Sequence, residues 1–321
     1  MIFEKQIQTM FRSQFNKRCD DTGAVFYYSA EDFPGLRKQP FAFSSSRGQR
    51  LQGYFYSYEN PIPGRLIVFD HGFGGGHRSY MKEIELLCRH GYRVYSYDHT
   101  GCMESEGEGC VGLSQSLRDL NDCLCALKGE ESCRSADISV MGHSWGGFST
   151  LNIAAYHPQV SHIVVLSGFV SVAQMLKQFL GGPLALYRKG ILEKERELNP
   201  GFADADAVKT LSATEAKVLL VYSDNDKLVK QSLHYDVLKA ALSHKSNIAF
   251  HLESGKDHNP NYSHDAVKQL AVFSAAQAEK TKNKELESAE QRHKFKQSFD
   301  WASMTQQDEA VWSKIFQTLD A

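Results

Sequence analysis

No run of apolar residues in this 321-residue sequence approaches the ~20 that a helix needs to cross a bilayer, and the stretch around Ile163 to Leu166 falls far short of it. A membrane span is therefore not expected. A charge excess of one sign is missing too: 36 Lys plus Arg stand against 38 Asp plus Glu, a net charge of −2. Such a chain has no broad basic field to collect nucleic acid or anionic lipid. The N-terminal MIFEKQIQTMFRSQFNKR alternates charged with apolar residues and lacks the form of a secretory signal. Seven cysteines, at 19, 88, 102, 110, 123, 125 and 133, are odd in number and scattered. That pattern argues against a disulfide framework and suits a reduced, cytoplasmic protein. Cys123 and Cys125 form a CxC, yet no second Cys/His pair at metal spacing accompanies them, so core thiols are expected, with no metal and no cofactor. No repeat of fixed period is visible.

What is present is an average globular composition, 42% apolar and 23% charged, long enough for a full core. Short β-branched or aromatic runs alternate with helical periodicity. Strands are expected at Arg65 to Asp70, Tyr92 to Tyr97, Asp137 to Met141, His162 to Ser167, Val218 to Ser223 and Asn247 to Leu252. Helical patterns lie between them, and near-continuously apolar strands joined by helices imply a parallel sheet covered on both faces. Ahead of these, Phe41 to Phe43 and Leu51 to Tyr58 predict an antiparallel hairpin at one edge. The long gap from Ser167 to Lys217 implies an inserted cap. The charged run from about Glu279 to Glu309 predicts solvated helix. It ends in the stripe Val311, Trp312, Ile315, Phe316 and Leu319, which would dock a last helix on the body or on a second copy as a homodimer.

Chemistry concentrates at GHSWGG, Gly142 to Gly147, a GxSxG directly between an expected strand and an expected helix. A serine in that setting occupies a sharp strained turn that lifts its Oγ clear of the sheet. A serine nucleophile needs a base, and the base an orienting acid, in the chain order Ser, Asp or Glu, His for this topology. Asp224 and Asp226 follow one strand end, His258 follows the next, and His264 lies six residues further on.

The sequence here resembles an α/β-hydrolase, near the serine aminopeptidase and monoacylglycerol-lipase-like branch. The resemblance runs from about Arg50 to Ala278, through DHGFGGG (Asp70 to Gly76), DHTGCMES (Asp98 to Ser105), Gly142 to Gly147, SDNDKLV (Ser223 to Val229) and GKDH (Gly255 to His258). It implies an α/β-hydrolase fold: a mostly parallel twisted sheet with helices on both faces, an antiparallel N-terminal hairpin and a small helical cap. It also implies Ser144 as nucleophile, His258 as general base and Asp226 as acid, with Asp224 and His264 as the alternatives. An oxyanion hole would use the backbone N–H groups of Phe73 and Trp145. Thr100 and Cys102 depart from the family pattern in a loop outside the triad. His71, His77 and His143, with no carboxylate at ligand spacing, suit loop packing better than a metal.

The expected organisation is an N-terminal extension over 1–40, a hydrolase core over 41–168 and 215–280, a cap over 169–214 and a helical C-terminal extension over 281–321. Met175, Phe179 and Tyr187 of the cap are expected to contact substrate. The expected activity is cleavage of a carboxylic ester in a small molecule or peptide-like substrate through an acyl-enzyme. The alternatives are an aminopeptidase or amidase holding an amino terminus with Glu193, Glu195 or Glu197, an acyltransferase, and a non-catalytic binding protein on the same fold.

Overall fold

The computed structural model describes residues 2–20 and 25–321. Its strands are β1 (Arg37–Ser44), β2 (Arg50–Ser57), β3 (Arg65–Asp70), β4 (Arg93–Tyr97), β5 (Asp137–His143), β6 (His162–Leu166), β7 (Lys217–Ser223) and β8 (Ile248–Glu253). They form one sheet in the order β1-β2-β4-β3-β5-β6-β7-β8. β1 and β2 form the antiparallel hairpin at one edge, β2 runs antiparallel to β4, and the other pairs are parallel. The six parallel strands lie within a few residues of the positions read from the sequence.

Helices α1 (Ile2–Phe15), α2 (Met81–Arg89), α3 (Gln115–Gly129), α4 (Ser144–Asn152), α5 (Val172–Phe179), α6 (Arg188–Leu198), α7 (Ala207–Ala213), α8 (Tyr235–Leu242), α9 (His264–Lys282), α10 (Ala289–Gln297), α11 (Trp301–Met304) and α12 (Glu309–Leu319) surround the sheet. The period-2 alternation of a strand sends Leu66, Val68, Val140, Val165 and Leu220 into one core with α1, α3, α4, α8 and the cap. It sends Ile67, Phe69, Met141, Val164 and Val221 into a second core with α2 and α12. Because both faces are buried, both positions of each pair must be apolar, which is why these strands show no polar alternation.

One expectation changes and another is narrowed. The charged run after residue 279 is not one solvated helix: α9 ends at Lys282, Lys284 takes a positive φ of 60°, and α10 and α11 follow separately. Phe273, Phe295, Trp301 and Met304, spaced among the charges, bury one another as a third small core. The stripe on α12 docks on the body, one of its two expected places. Val311, Ile315 and Leu319 are fully buried against the second core, so the face offered to a second copy is covered by the chain's own sheet. Among the described residues no helix is long and apolar enough to cross a membrane.

Candidate active site

β5 ends at His143 and α4 begins at Ser144, so the chain must reverse between the two without a loop. Ser144 carries the strain of that turn, with φ 57° in the left-handed region that side chains rarely adopt. The glycine after it is required by space. A Cβ on Gly146 would lie 2.1 Å from the Asp70 carbonyl oxygen, so only glycine lets α4 start this close to β3.

The loops after β7 and β8 bring Asp226 and His258 to the same carboxyl edge of the sheet. His258 Nε2 lies 2.8 Å from Ser144 Oγ, and His258 Nδ1 lies 2.7 Å from Asp226 Oδ2. An ionised carboxylate only accepts, so Nδ1 carries the proton, donates it to Asp226 and leaves Nε2 to accept from the serine hydroxyl. Burial pushes the Asp226 carboxyl up. The hydrogen bond and charge of His258, with the Val229 and Leu228 amides, outweigh it and hold the acid below its ordinary range. Asp224, two residues away, is exposed and turned elsewhere: it accepts from Ser254 Oγ and Gly255 N–H. His264 is exposed at the start of α9 with its Nε2 on the Ser254 carbonyl.

The loop after β3 passes directly against Ser144. A Cβ on Gly72 would lie 3.4 Å from the Ser144 Cβ and 2.4 Å from the Tyr80 hydroxyl. Phe73 follows, its ring 5.2 Å from that of Trp145 in an edge-on contact. The Trp145 indole donates to the Leu113 carbonyl at 2.6 Å, which fixes the residue after the serine.

Sequence reasoning did not find the network that locks these loops together. His143 Nε2 is 2.8 Å from the His258 carbonyl, which can only accept, so Nε2 bears the proton and Nδ1 is left to accept. The Tyr80 hydroxyl donates to that Nδ1 at 2.8 Å and accepts from Gly72 N–H at 3.1 Å. One line of hydrogen bonds therefore joins the β3 loop, the serine turn and the histidine loop. Burial, with the His258 charge, lowers His143 to about 3, so it stays a neutral link. Beneath the site His99 lies 3.0 Å from Asp70 and 3.3 Å from Asp119, all fully buried. Burial lowers its pKa, but the two carboxylates outweigh this and raise it to about 10.

Among the cap residues, Met175 is buried in the first core and Phe179 is 47% exposed. The Tyr187 hydroxyl donates to Gln6 Oε1 of α1 at 3.0 Å. Glu195, one of three glutamates that the aminopeptidase alternative would use to hold an amino terminus, is fully buried. Its carboxylate accepts from the Leu113 and Ser114 amides at 2.6 and 3.1 Å and from Ser114 Oγ at 2.5 Å, closing the start of α3. The alternating charges of α6 hide this one inward-facing member. A sequence gives no sign of a partner 82 residues away.

The profile of the serine aminopeptidase S33 family matches residues 61–195, from β3 into the cap. A candidate carbamate hydrolase, RutD, of Serratia proteamaculans is 33% identical over 107 residues, 32% of this chain and 37% of that protein. Cutinase 2 of Thermobifida cellulosilytica is 27% identical over 139 residues, 41% of this chain and 52% of the cutinase. The chain thus spans about a third to a half of the length of these curated relatives. Among solved structures, an esterase of Pyrococcus furiosus superposes with TM-score 0.57 at 18% identity, covering 84% of this chain and 97% of the esterase. An acetyl xylan esterase from Paenibacillus sp. R4 does so with TM-score 0.55 at 16% identity, covering 86% and 93%. Sheet order and structural neighbours give this chain the α/β-hydrolase fold, and the serine aminopeptidase S33 profile matches its residues 61–195.

Proposed function

We propose that this chain is a serine hydrolase that cleaves a carboxylic ester through a covalent acyl-enzyme. The observation that carries the reading is the hydrogen-bonded line Ser144–His258–Asp226. In this mechanism His258 Nε2 takes the serine proton as Oγ attacks the acyl carbon, and Asp226 holds the tautomer and stabilises the imidazolium that forms. The backbone N–H groups of Phe73 and Trp145 receive the oxyanion. Neither has a hydrogen-bond partner among the described residues, which leaves both free for that role. His258 then protonates the leaving alcohol, and water activated by the same imidazole releases the acid.

An ester is favoured over a peptide by where the acidic groups lie. Glu195 is consumed at the start of α3, and Glu193 and Glu197 line a surface cleft against Glu4 and Ile7 of α1. Glu195 is thus spent on α3, and Glu193 and Glu197 pair with Lys189 and Lys194 of their own helix. Apolar surface near Asp226 suits an acyl chain: Gln178 of α5 donates to the Lys227 and Leu228 carbonyls, which ties α5 to the loop carrying Asp226, and Phe179 and Leu228 are 47% and 53% exposed. Phe179 remains a proposed substrate contact; Met175 and Tyr187 serve packing and the tie to α1. All seven cysteines are free thiols, which supports a reducing, cytoplasmic location.

The test is a fluorophosphonate adduct read by intact mass, with Ser144→Ala alongside. One adduct on the native chain, none on the variant, and a turnover loss of up to ~10⁶-fold on a nitrophenyl ester are expected. An unmodified native chain, or a variant that still turns over with a normal melting transition, removes the serine from this role. A panel of nitrophenyl esters beside aminoacyl anilides separates esterase from aminopeptidase.

A further inference from the structure

Three of the seven cysteines, far apart in sequence, converge. Cys19 Sγ lies 3.2 Å from Cys110 Sγ, and Cys102 Sγ lies 3.8 Å from Cys110 Sγ. All three sulfurs sit within 4.8 Å of one another, and all three residues are buried in the first core. We propose that Cys19, Cys102 and Cys110 form a three-sulfur site for a thiophilic d¹⁰ cation.

Geometry supports it first. A cation bound to three thiolates at about 2.3 Å holds the sulfurs about 4 Å apart. The observed spacings reach that with movements of under about 1 Å. The frame is also built in advance. Cys19 N–H donates to the Gly101 carbonyl at 2.8 Å, Met103 N–H to the Cys19 carbonyl at 3.1 Å and Cys110 N–H to the Lys17 carbonyl at 3.2 Å. Arg18 fixes the same loop by donating to the carbonyls of Met103, Ser105 and Gly107 at 2.5, 3.1 and 2.8 Å. Arg18 is itself held by Asp20 at 2.9 Å, which steadies this anchor.

Donor chemistry selects the class of ion. Three soft sulfurs, with no carboxylate or imidazole in the cluster, favour Cu⁺, Zn²⁺ or Cd²⁺ over hard cations such as Mg²⁺ or Ca²⁺. Binding exchanges S–H bonds for S–metal bonds: up to three protons leave to solvent, and no atom changes oxidation state. The site lies outside the Ser144 line and does not depend on hydrolysis.

The experiment titrates the full chain, fully reduced and free of oxygen, with Cd²⁺ as the probe. One equivalent bound with a sulfur-to-cadmium ultraviolet band and release of protons is expected. Affinity should fall roughly tenfold or more in each of Cys19→Ser, Cys102→Ser and Cys110→Ser and stay unchanged in Cys125→Ser, the exposed cysteine. If the serine variants fail to fold, alkylation mapping of the native chain in mild denaturant, with and without cadmium, decides: positions 19, 102 and 110 should react without the ion and be protected by it, while Cys125 reacts in both. No band at saturating Cd²⁺, a band indifferent to the three substitutions, or no selective protection overturns the proposal. So does a chain two hydrogens lighter, with Cys19 joined to Cys110, that takes up no cadmium after reduction.

Discussion

Asp224 and Asp226 stand two residues apart after the same strand, and a strand end alone does not choose between them. The choice is made by the turn. Asp226 faces inward, fully buried at its side chain, on His258, whereas Asp224 faces solvent and ties down the Ser254–Gly255 turn. Asp226→Asn should therefore cost several orders of magnitude in kcat/KM, on the ~10⁴ scale of a lost triad carboxylate, and Asp224→Asn about tenfold or less. Steady-state rates on one ester decide it, and a reversed order would mean the acid is Asp224. The same geometry requires neutral His258, so kcat/KM should rise with pH from acid toward neutral while Asp226, held below its ordinary range, stays ionised throughout. Ser144, the pair Asp224 and Asp226, and His258 can be placed at one sheet edge from the sequence because each lies within a few residues of the end of a strand whose apolar run is unmistakable. Tyr80 and His143 cannot be paired this way: their meeting is a side-chain hydrogen bond across 63 residues, which leaves no spacing signal. The three clustered cysteines escape for the same reason, since positions 19 and 110 come together through backbone pairing of a segment outside the recognisable core.

Between elements, single buried carboxylates act as joints. Glu195 on α6 anchors the cap to the start of α3, and Leu113, whose amide it holds, accepts the Trp145 indole. Cap position is thus coupled to Trp145, the residue after Ser144. Glu195→Ala should lower the melting temperature, because buried Leu113 and Ser114 amides lose their acceptor at about 1–3 kcal/mol each. It should also reduce kcat on an ester more than it reduces labelling by a small phosphonate. Equal losses in both would show that the joint holds the fold alone. Glu83 on α2 is the second joint, accepting from Asn261 of the histidine loop at 3.0 Å and from Gln307 ahead of α12 at 3.1 Å. Burial raises its carboxyl from 4.5 to about 7, against the pull of its own backbone and those two amides. The folded chain then binds more protons than the unfolded chain between those values, so this group's contribution falls as pH rises through that window and stays low above it. Glu83→Gln should remove that slope and gain stability relative to the native chain above pH 7, on the order of 3 kcal/mol for the shift concerned. Denaturant melts at two pH values measure it. Neither joint is visible in sequence, where Glu195 sits in a charged repeat and Glu83 in an ordinary amphipathic turn. The C-terminal elements escape the sequence for a related reason: Phe295, Trp301 and Met304, dispersed in a charged run, look solvated until α9, α10 and α11 fold them together with Phe273.

Across the whole molecule, the two faces of the sheet are closed by different parts of the chain. One face is covered by helices interleaved with the strands, the other by α2 and the distant α12. Because Ile315 is fully buried among Val164, Leu219 and Val221, Ile315→Ala should cost about 2–5 kcal/mol, far more than truncating an exposed position such as Val272. Calorimetry on the two variants tests whether α12 belongs to the cooperative unit; a separate, earlier transition for the native α12 would show that it does not. The sheet itself, with both faces apolar, was plain from the sequence, but which distant segment covers each face is set by packing between residues some hundred positions apart. That arrangement also orders events during synthesis. The strands under α12, β6 and β7, are complete by residue 223, yet the helix that covers them ends at Leu319. At a synthesis rate of about 5–20 residues per second, the ribosome leaves that apolar face open for several seconds or more, long compared with the collapse of the strands themselves. During that interval the nascent chain is a sheet with one bare side, a natural substrate for a chaperone and a poor candidate for crowded overexpression.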